Sequence, residues 1–244
     1  MKIENITPSI ISELWERIKP SIQESEALEE AAQKLISEIH SQFSESVVLA
    51  RAYLTVPFEN LPPSISTFVE NLTESAGVKS EMKGTTPVLS LIGTKGIEDD
   101  WNDRRNSKGH AGIPLISSAF VSGIPMIARL LKELDVPMDW VDSHDSEIIK
   151  RTLGGSVGLF YVENAAEATD HEGRKIIAAQ DFVSGYKVRS VFGTGDAYDN
   201  GQILVIVIFC HDAFSREVPE HFTILASSFK SSTLSLVEES KIFC

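Results

Sequence analysis

Residues 203–210 read ILVIVIFC, eight apolar residues in a row, just after the turn-forming pair Asn200-Gly201. A run this short, rich in β-branched residues and without polar alternation, predicts a strand covered on both faces, and so an interior strand of a sheet. An interior strand needs neighbours on both sides. Asn200-Gly201 is a hairpin signal, and KVRSVFGTG (187–195) ahead of it supplies the first partner. VVLARAYLTV (47–56), PVLSLIGTKG (87–96) and SVGLFYV (156–162) are further strand candidates with β-branched and aromatic residues.

Between these strands the apolar period changes to that of helices. Thr7-Pro8 reads as an N-cap with a first-turn proline, followed at helical spacing by Ile11, Leu14, Trp15, Ile18 and Ile22. After Pro20 and the acidic QESEALEE, a second stripe runs through Leu28, Ala31, Ala32, Leu35, Ile39 and Phe43. PPSISTFVENLTES (62–75) predicts a short helix. Phe120, Ile124, Ile127, Ala128, Leu131 and Leu134 predict another over 117–134, which Pro125 should kink or start. Val218, Phe222, Leu225, Ala226, Phe229, Thr233 and Leu236 predict a final helix of about five turns. Consecutive strands with no helix between the last pair favour an α+β fold: a mixed or antiparallel sheet of about five to six strands with helices packed on its faces.

Composition removes several classes of function. No apolar run approaches the roughly 18–20 residues of a membrane-spanning helix, so no membrane association is expected. The N-terminal stretch lacks the apolar core of a secretory signal, and a cytoplasmic location is expected. A formal net charge of −13 argues against nucleic acid as a partner, since phosphate neutralisation needs a positive footprint. The two cysteines, Cys210 in the apolar strand and Cys244 at the last residue, form neither a disulfide framework nor metal-ligand spacing.

The most unusual passage is GTKGIEDDWNDRRNSKGHAGIPL (93–115), which crowds acids, two arginines, a tryptophan and a histidine between an apolar strand and an apolar helix. One reading is a ligand loop. Arg104 and Arg105 offer planar forks for a carboxylate or phosphate, Trp101 can stack, and Asn102, Ser107 and His110 add hydrogen bonds, which together suit an anionic or aromatic ligand. The other reading is structural, with Arg104 paired to Asp99, Asp100 or Asp103 and Trp101 plugging the sheet. Both stay open at this level. The glycines match no dinucleotide or Walker pattern. His110 has no metal-ligand spacing to His40, His144, His171, His211 or His221, and the aspartates lack the layout of a calcium loop, so no metal is expected. No nucleophile elbow occurs, Cys210 lies in an apolar setting, and Glu238-Glu239 reads as a solvent face, so no catalytic residue is assigned.

The segment RSVFGTGDAYDNGQILVIVIFCHDAFSREVPEHFTILASSFKSSTLSLVEE (189–239) resembles the closing hairpin and helix of a GAF domain. It departs from the frequent Ser-Pro helix start, because FSREVPEHF inserts residues between Ser215 and Pro219. WNDRRNSKGHAGIPL, PMIARLLKEL and RSVFGTG resemble segments of GAF-like modules of bacterial signalling proteins, often found beside kinase or cyclase domains. The resemblance covers roughly residues 25–240, leaving 1–24 as an N-terminal helical extension. It implies a non-catalytic sensory domain for an unidentified small molecule in bacterial signal transduction, its cofactor unknown. It also implies a homodimer through the helices at 28–43 and 218–237. With no output domain recognised after it, a separate signalling effector or self-association would read the signal. The alternatives are a dimerisation or partner-docking module without ligand, and an enzyme of unknown reaction.

Overall fold

The computed structural model describes residues 1–107, 109–145, 147–149 and 158–244. Six strands form one sheet in the order β3-β2-β1-β6-β5-β4: β1 Val47–Pro57, β2 Pro87–Gly96, β3 Gly112–Pro114, β4 Gly158–Val162, β5 Ser190–Ala197 and β6 Ile203–Cys210. Every neighbouring pair is antiparallel. The ILVIVIFC run is therefore the interior strand β6, between β1 and β5, and all eight of its residues are buried. Ser156 and Val157 of the expected SVGLFYV strand lie outside the described residues, and the rest of it is β4. The β5–β6 hairpin closes through Gly201, whose φ of +87° a side chain would disfavour, with the Gly201 amide donating to the Tyr198 carbonyl at 2.8 Å.

One face of this sheet is closed by three long helices. α1 (Pro8–Gln23) starts where expected, with Thr7 Oγ1 accepting from the Ile10 amide, and buries Ile11, Leu14, Trp15, Ile18 and Ile22. Pro20 lies inside the helix rather than at its end. α2 (Leu28–Gln42) and the C-terminal helix Thr223–Glu238 complete the layer. Their stripes meet Ala50, Ala52, Leu54, Leu204, Ile206 and Ile208 of the sheet in one cluster that also takes in α1. The helical stripes are thus satisfied within a single chain, and residues 3–22 share a core with the sheet. α2 lies directly on β2, since a Cβ at Gly93 would stand 2.9 Å from the Ala32 backbone carbon.

α3 (Pro63–Ser75) extends the closed face beside β3, where Ile65 and Val69 meet Val88. The other face is covered by shorter pieces. The single helix expected over 117–134 is two, α4 (Ser118–Ser122) and α5 (Pro125–Glu133), because the chain breaks at Gly123-Ile124 and Pro125 restarts it at a position needing no amide donor. α6 (Met138–Ser143) follows. The final helix is likewise preceded by a separate turn of helix, Glu217–Glu220. α5 leans: at its C-terminal end a Cβ on Gly158 would come 2.4 Å from Leu134 Cα, while its N-terminal end stands off the sheet. That tilt leaves space beneath it.

Candidate ligand site

The space under α5 is a cavity of about 400 Å³, within the range of small-molecule sites. Alternation along the strands fixes its floor: Leu49, Arg51 and Tyr53 of β1 and Val207 and Phe209 of β6 project to this face, with Leu89 and Ile113 beside them. Ile124, Pro125, Met126, Ile127 and Leu130 form the roof, and Ile176–Ala179 with Phe182 close one side. The loop 97–111, which leaves β2 and returns as β3, supplies Asp100, Trp101, Asn106, Gly109 and His110.

Two 3-10 turns shape this loop, Asp99–Asn102 and Arg104–Asn106. Asn102 Oδ1 accepts from the Gly96 amide at 3.1 Å, which ties the first turn to the end of β2. Trp101 is set among rings, 4.7 Å from Tyr186 and 5.6 Å from Phe182 between centroids, and Phe182 in turn meets Phe209 edge-on at 5.4 Å. Those are favourable aromatic geometries, so Trp101 both packs the fold and walls the cavity. His110 occupies the left-handed region at φ 57°, which turns its ring to the cavity. The residue is exposed at the mouth of the cavity, yet desolvation of its ring, and then the nearby Arg51 charge, push its pKa below the usual histidine value, so at neutral pH it is an uncharged hydrogen-bonding group.

The paired arginines go elsewhere. Arg104 is 6% exposed, its Nε 2.7 Å from Glu29 Oε1 and its Nη2 donating to Glu29 Oε2 at 2.7 Å. Its guanidinium also lies 5.2 Å from the centre of the Phe243 ring. Glu29 sits in the first turn of α2 and also accepts from the Cys244 amide at 3.0 Å. Arg105 reaches the same Glu29 at 3.1 Å and Asp103 at 3.4 Å from the surface. Neither arginine lines the cavity. The expected local partner of Arg104 among Asp99, Asp100 and Asp103 is replaced by an acid 75 residues away.

Of the residues singled out in the loop, the fold therefore brings Trp101 and His110 to the cavity, makes Asn102 a backbone brace, and turns Arg104 and Arg105 toward α2. Ser107 supports the site indirectly. Its Oγ accepts from Arg51 Nη2 at 3.2 Å and donates to the Gly109 carbonyl at 3.0 Å. Arg51 is the cavity residue that loop-centred reasoning misses. Its Nη1 donates to the Gly109 carbonyl at 3.0 Å and to Tyr53 Oη at 3.4 Å. A signal existed in the lone charge within VVLARAYLTV, an otherwise apolar strand. The wall at 176–182 carried no comparable signal.

Around His110 the lining presents Tyr53, Arg51 and Asp100 but, among the described residues, no serine, threonine or cysteine to act as a nucleophile. Cys210 is fully buried on the closed face, and burial together with Asp212 pushes its thiol pKa well up. Among the described residues no group of three histidines, cysteines or carboxylates could hold a metal ion, and no helix is long and apolar enough to cross a membrane.

No family profile matches the sequence, and no curated protein matches it. Among solved structures the fold is similar to the phycoerythrobilin-bound GAF domain of a cyanobacterial phytochrome, at 12% identity over 94% of this chain and 97% of that one, with a TM-score of 0.49. It is similar also to the GAF domain of an Acinetobacter phosphoenolpyruvate-protein phosphotransferase, at 13% identity, 96% and 98% coverage and a TM-score of 0.49. Bacteriophytochrome RpBphP3 from R. palustris matches at 9% identity over 97% of this chain and 40% of its own, with a TM-score of 0.46. The likeness is one of architecture; the chemistry of the site rests on this chain's own residues.

Proposed function

We propose that this chain is a non-catalytic, GAF-like sensory domain that binds a small ligand, aromatic or anionic in character, in the cavity beneath α5, and serves bacterial signal transduction in the cytoplasm. The observation that carries the proposal is the cavity itself: about 400 Å³, walled by apolar and aromatic side chains, with a few convergent polar groups in Arg51, Tyr53 and His110. The loop 97–111 supports a sensing role because it touches two places at once. Trp101 and His110 meet the cavity, while Arg104 grips Glu29 and lies over the Phe243 ring, and Glu29 in turn accepts from the Cys244 amide. A ligand that moves the loop would be felt at α2 and the C-terminal tail, where a partner chain or a second copy could read it.

A thermal-shift screen of small aromatic and acidic compounds tests the proposal, since a ligand that binds only the native state raises the melting temperature by mass action. A hit whose shift disappears when Met126→Trp fills the roof supports the cavity as the site. A library that leaves the melting temperature unmoved contradicts it. Light scattering at micromolar concentration tests self-association, where a monomer mass would leave readout to a separate effector.

A further inference from the structure

We propose that the ligand is an organic anion, a single carboxylate or sulfonate on an aromatic or otherwise apolar body, with its acid group seated on Arg51. This rests on the cavity being a ligand site, as argued above.

Four described arginines are buried or half-buried: Arg51, Arg104, Arg129 and Arg174. Three of them have carboxylate partners, Arg104 in Glu29, Arg129 in Glu133 and Arg174 in Asp170. Arg51 has none within ion-pair distance among the described residues, though it stands on the floor of a mostly apolar cavity where an uncompensated charge is costly. Its hydrogen bonds go to neutral oxygens of Tyr53, Ser107 and Gly109 and occupy three of the five guanidinium hydrogens. The Nε–H is buried with no partner. Nε and Nη2 lie on one edge of the guanidinium, the edge that matches two oxygens of one acid group. Bracing the loop accounts for the bonds of Arg51 but not for its charge.

The surroundings limit the rest of the ligand. His110 is uncharged at neutral pH, so the cavity floor offers one positive charge rather than two. Asp100, the carboxylate on the described lining, belongs to a solvent-exposed stretch of the loop, where water screens it. Trp101, Phe182 and the apolar roof suit a ring or hydrocarbon body. The chain as a whole carries a formal charge of −13, which repels anions in general, so any preference for an anion has to arise locally.

Two dyes sharing one ring system separate the contributions: uncharged N-phenylnaphthylamine and its sulfonated counterpart anilinonaphthalene sulfonate, each titrated by fluorescence against the full chain. The wild type is expected to bind the sulfonate at least about ten-fold more tightly, the scale of a charge-assisted hydrogen bond. Arg51→Met should abolish that preference, bringing the two dyes' affinities to a ratio of about one whatever its effect on each alone, and Arg51→Lys should restore part of it. Equal wild-type affinities, or a preference that survives Arg51→Met, would overturn the anion assignment while leaving the cavity as a ligand site. If neither dye binds the wild type, both the cavity's role and the anion assignment fall together.

Discussion

The two faces of the sheet are covered by the same kinds of residue yet do different work. On the closed face, α1, α2 and the C-terminal helix lay long apolar stripes on β1, β6 and β2, and the contact at Gly93 leaves no room beneath α2. On the other face, α4, α5 and α6 are short, the cover is completed by the loop 97–111 and by 176–182, and α5 touches the sheet at only one end. Continuous helices fill a face, whereas a broken helix leaning on a glycine leaves a hollow. Both faces bury apolar clusters, but the closed face is packed without a hollow, and the open face carries the cavity proposed as the ligand site.

The largest effect that could break this contrast is a truncation in the closed face. Phe229 is fully buried there, and Phe229→Ala should cost about 3–5 kcal/mol in denaturant unfolding. Met126→Ala, in the roof of the cavity, should stay within about 1 kcal/mol, because its side chain borders space that is already open. Similar losses for both would mean that the two faces are equally packed.

Next in size is the ion pair that ties the loop to the closed face. Arg104→Ala leaves the buried Glu29 with only the surface Arg105 and the Cys244 amide, and should cost about 3 kcal/mol, the lower end for a broken buried pair. Arg105→Ala, at the surface, should cost less than about 1 kcal/mol. If the loop couples the cavity to α2 as a sensing role requires, breaking the Arg104–Glu29 pair should change the neutral dye's affinity for Arg104→Ala under conditions where the variant is folded. An unchanged affinity there would show that the loop's two sides are independent and would remove this support for sensing.

The smallest effect concerns pH. His110 has a folded-state pKa below its unfolded value, for which the ordinary figure is about 6.5. Above that pH the group is neutral in both states and contributes nothing. As pH falls below it, the unfolded chain takes up the proton first, so stability is lost from there down toward the folded pKa. His110→Asn suits the left-handed backbone and removes this loss, so the gap between its melting temperatures at pH 7.5 and 5.5 should be smaller than in the wild type (both about those values). An anion seated on Arg51 would offset the charge that opposes protonation of His110, so binding of the sulfonated dye should strengthen over the same interval.

How much of this could be read in advance follows the same division. The strands, α1 with its Thr7 cap, and the buried stripe of α2 were legible because each depends on a local period and a local cap. The interior place of β6 followed from its unbroken apolar run. The open face was less legible because its parts are joined by long-range contacts. Arg104 was read against the aspartates beside it in sequence, but a buried guanidinium takes the acid that the fold presents, and Glu29 is on another element. Arg51 was overlooked inside a strand whose apolar neighbours made it a strand in the first place. The wall of the hollow at 176–182 was not legible, because IIAAQDF shows no regular apolar period.

The central claim is that the hollow of the open face receives a small molecule, and titration with N-phenylnaphthylamine tests it most directly. The account predicts saturable, one-to-one binding to the wild type and its loss in Met126→Trp, which should keep the wild-type melting temperature within a few degrees (about 2–4 °C per kcal/mol for a chain of this size). Absence of saturable binding, or binding that Met126→Trp leaves unchanged, would contradict it.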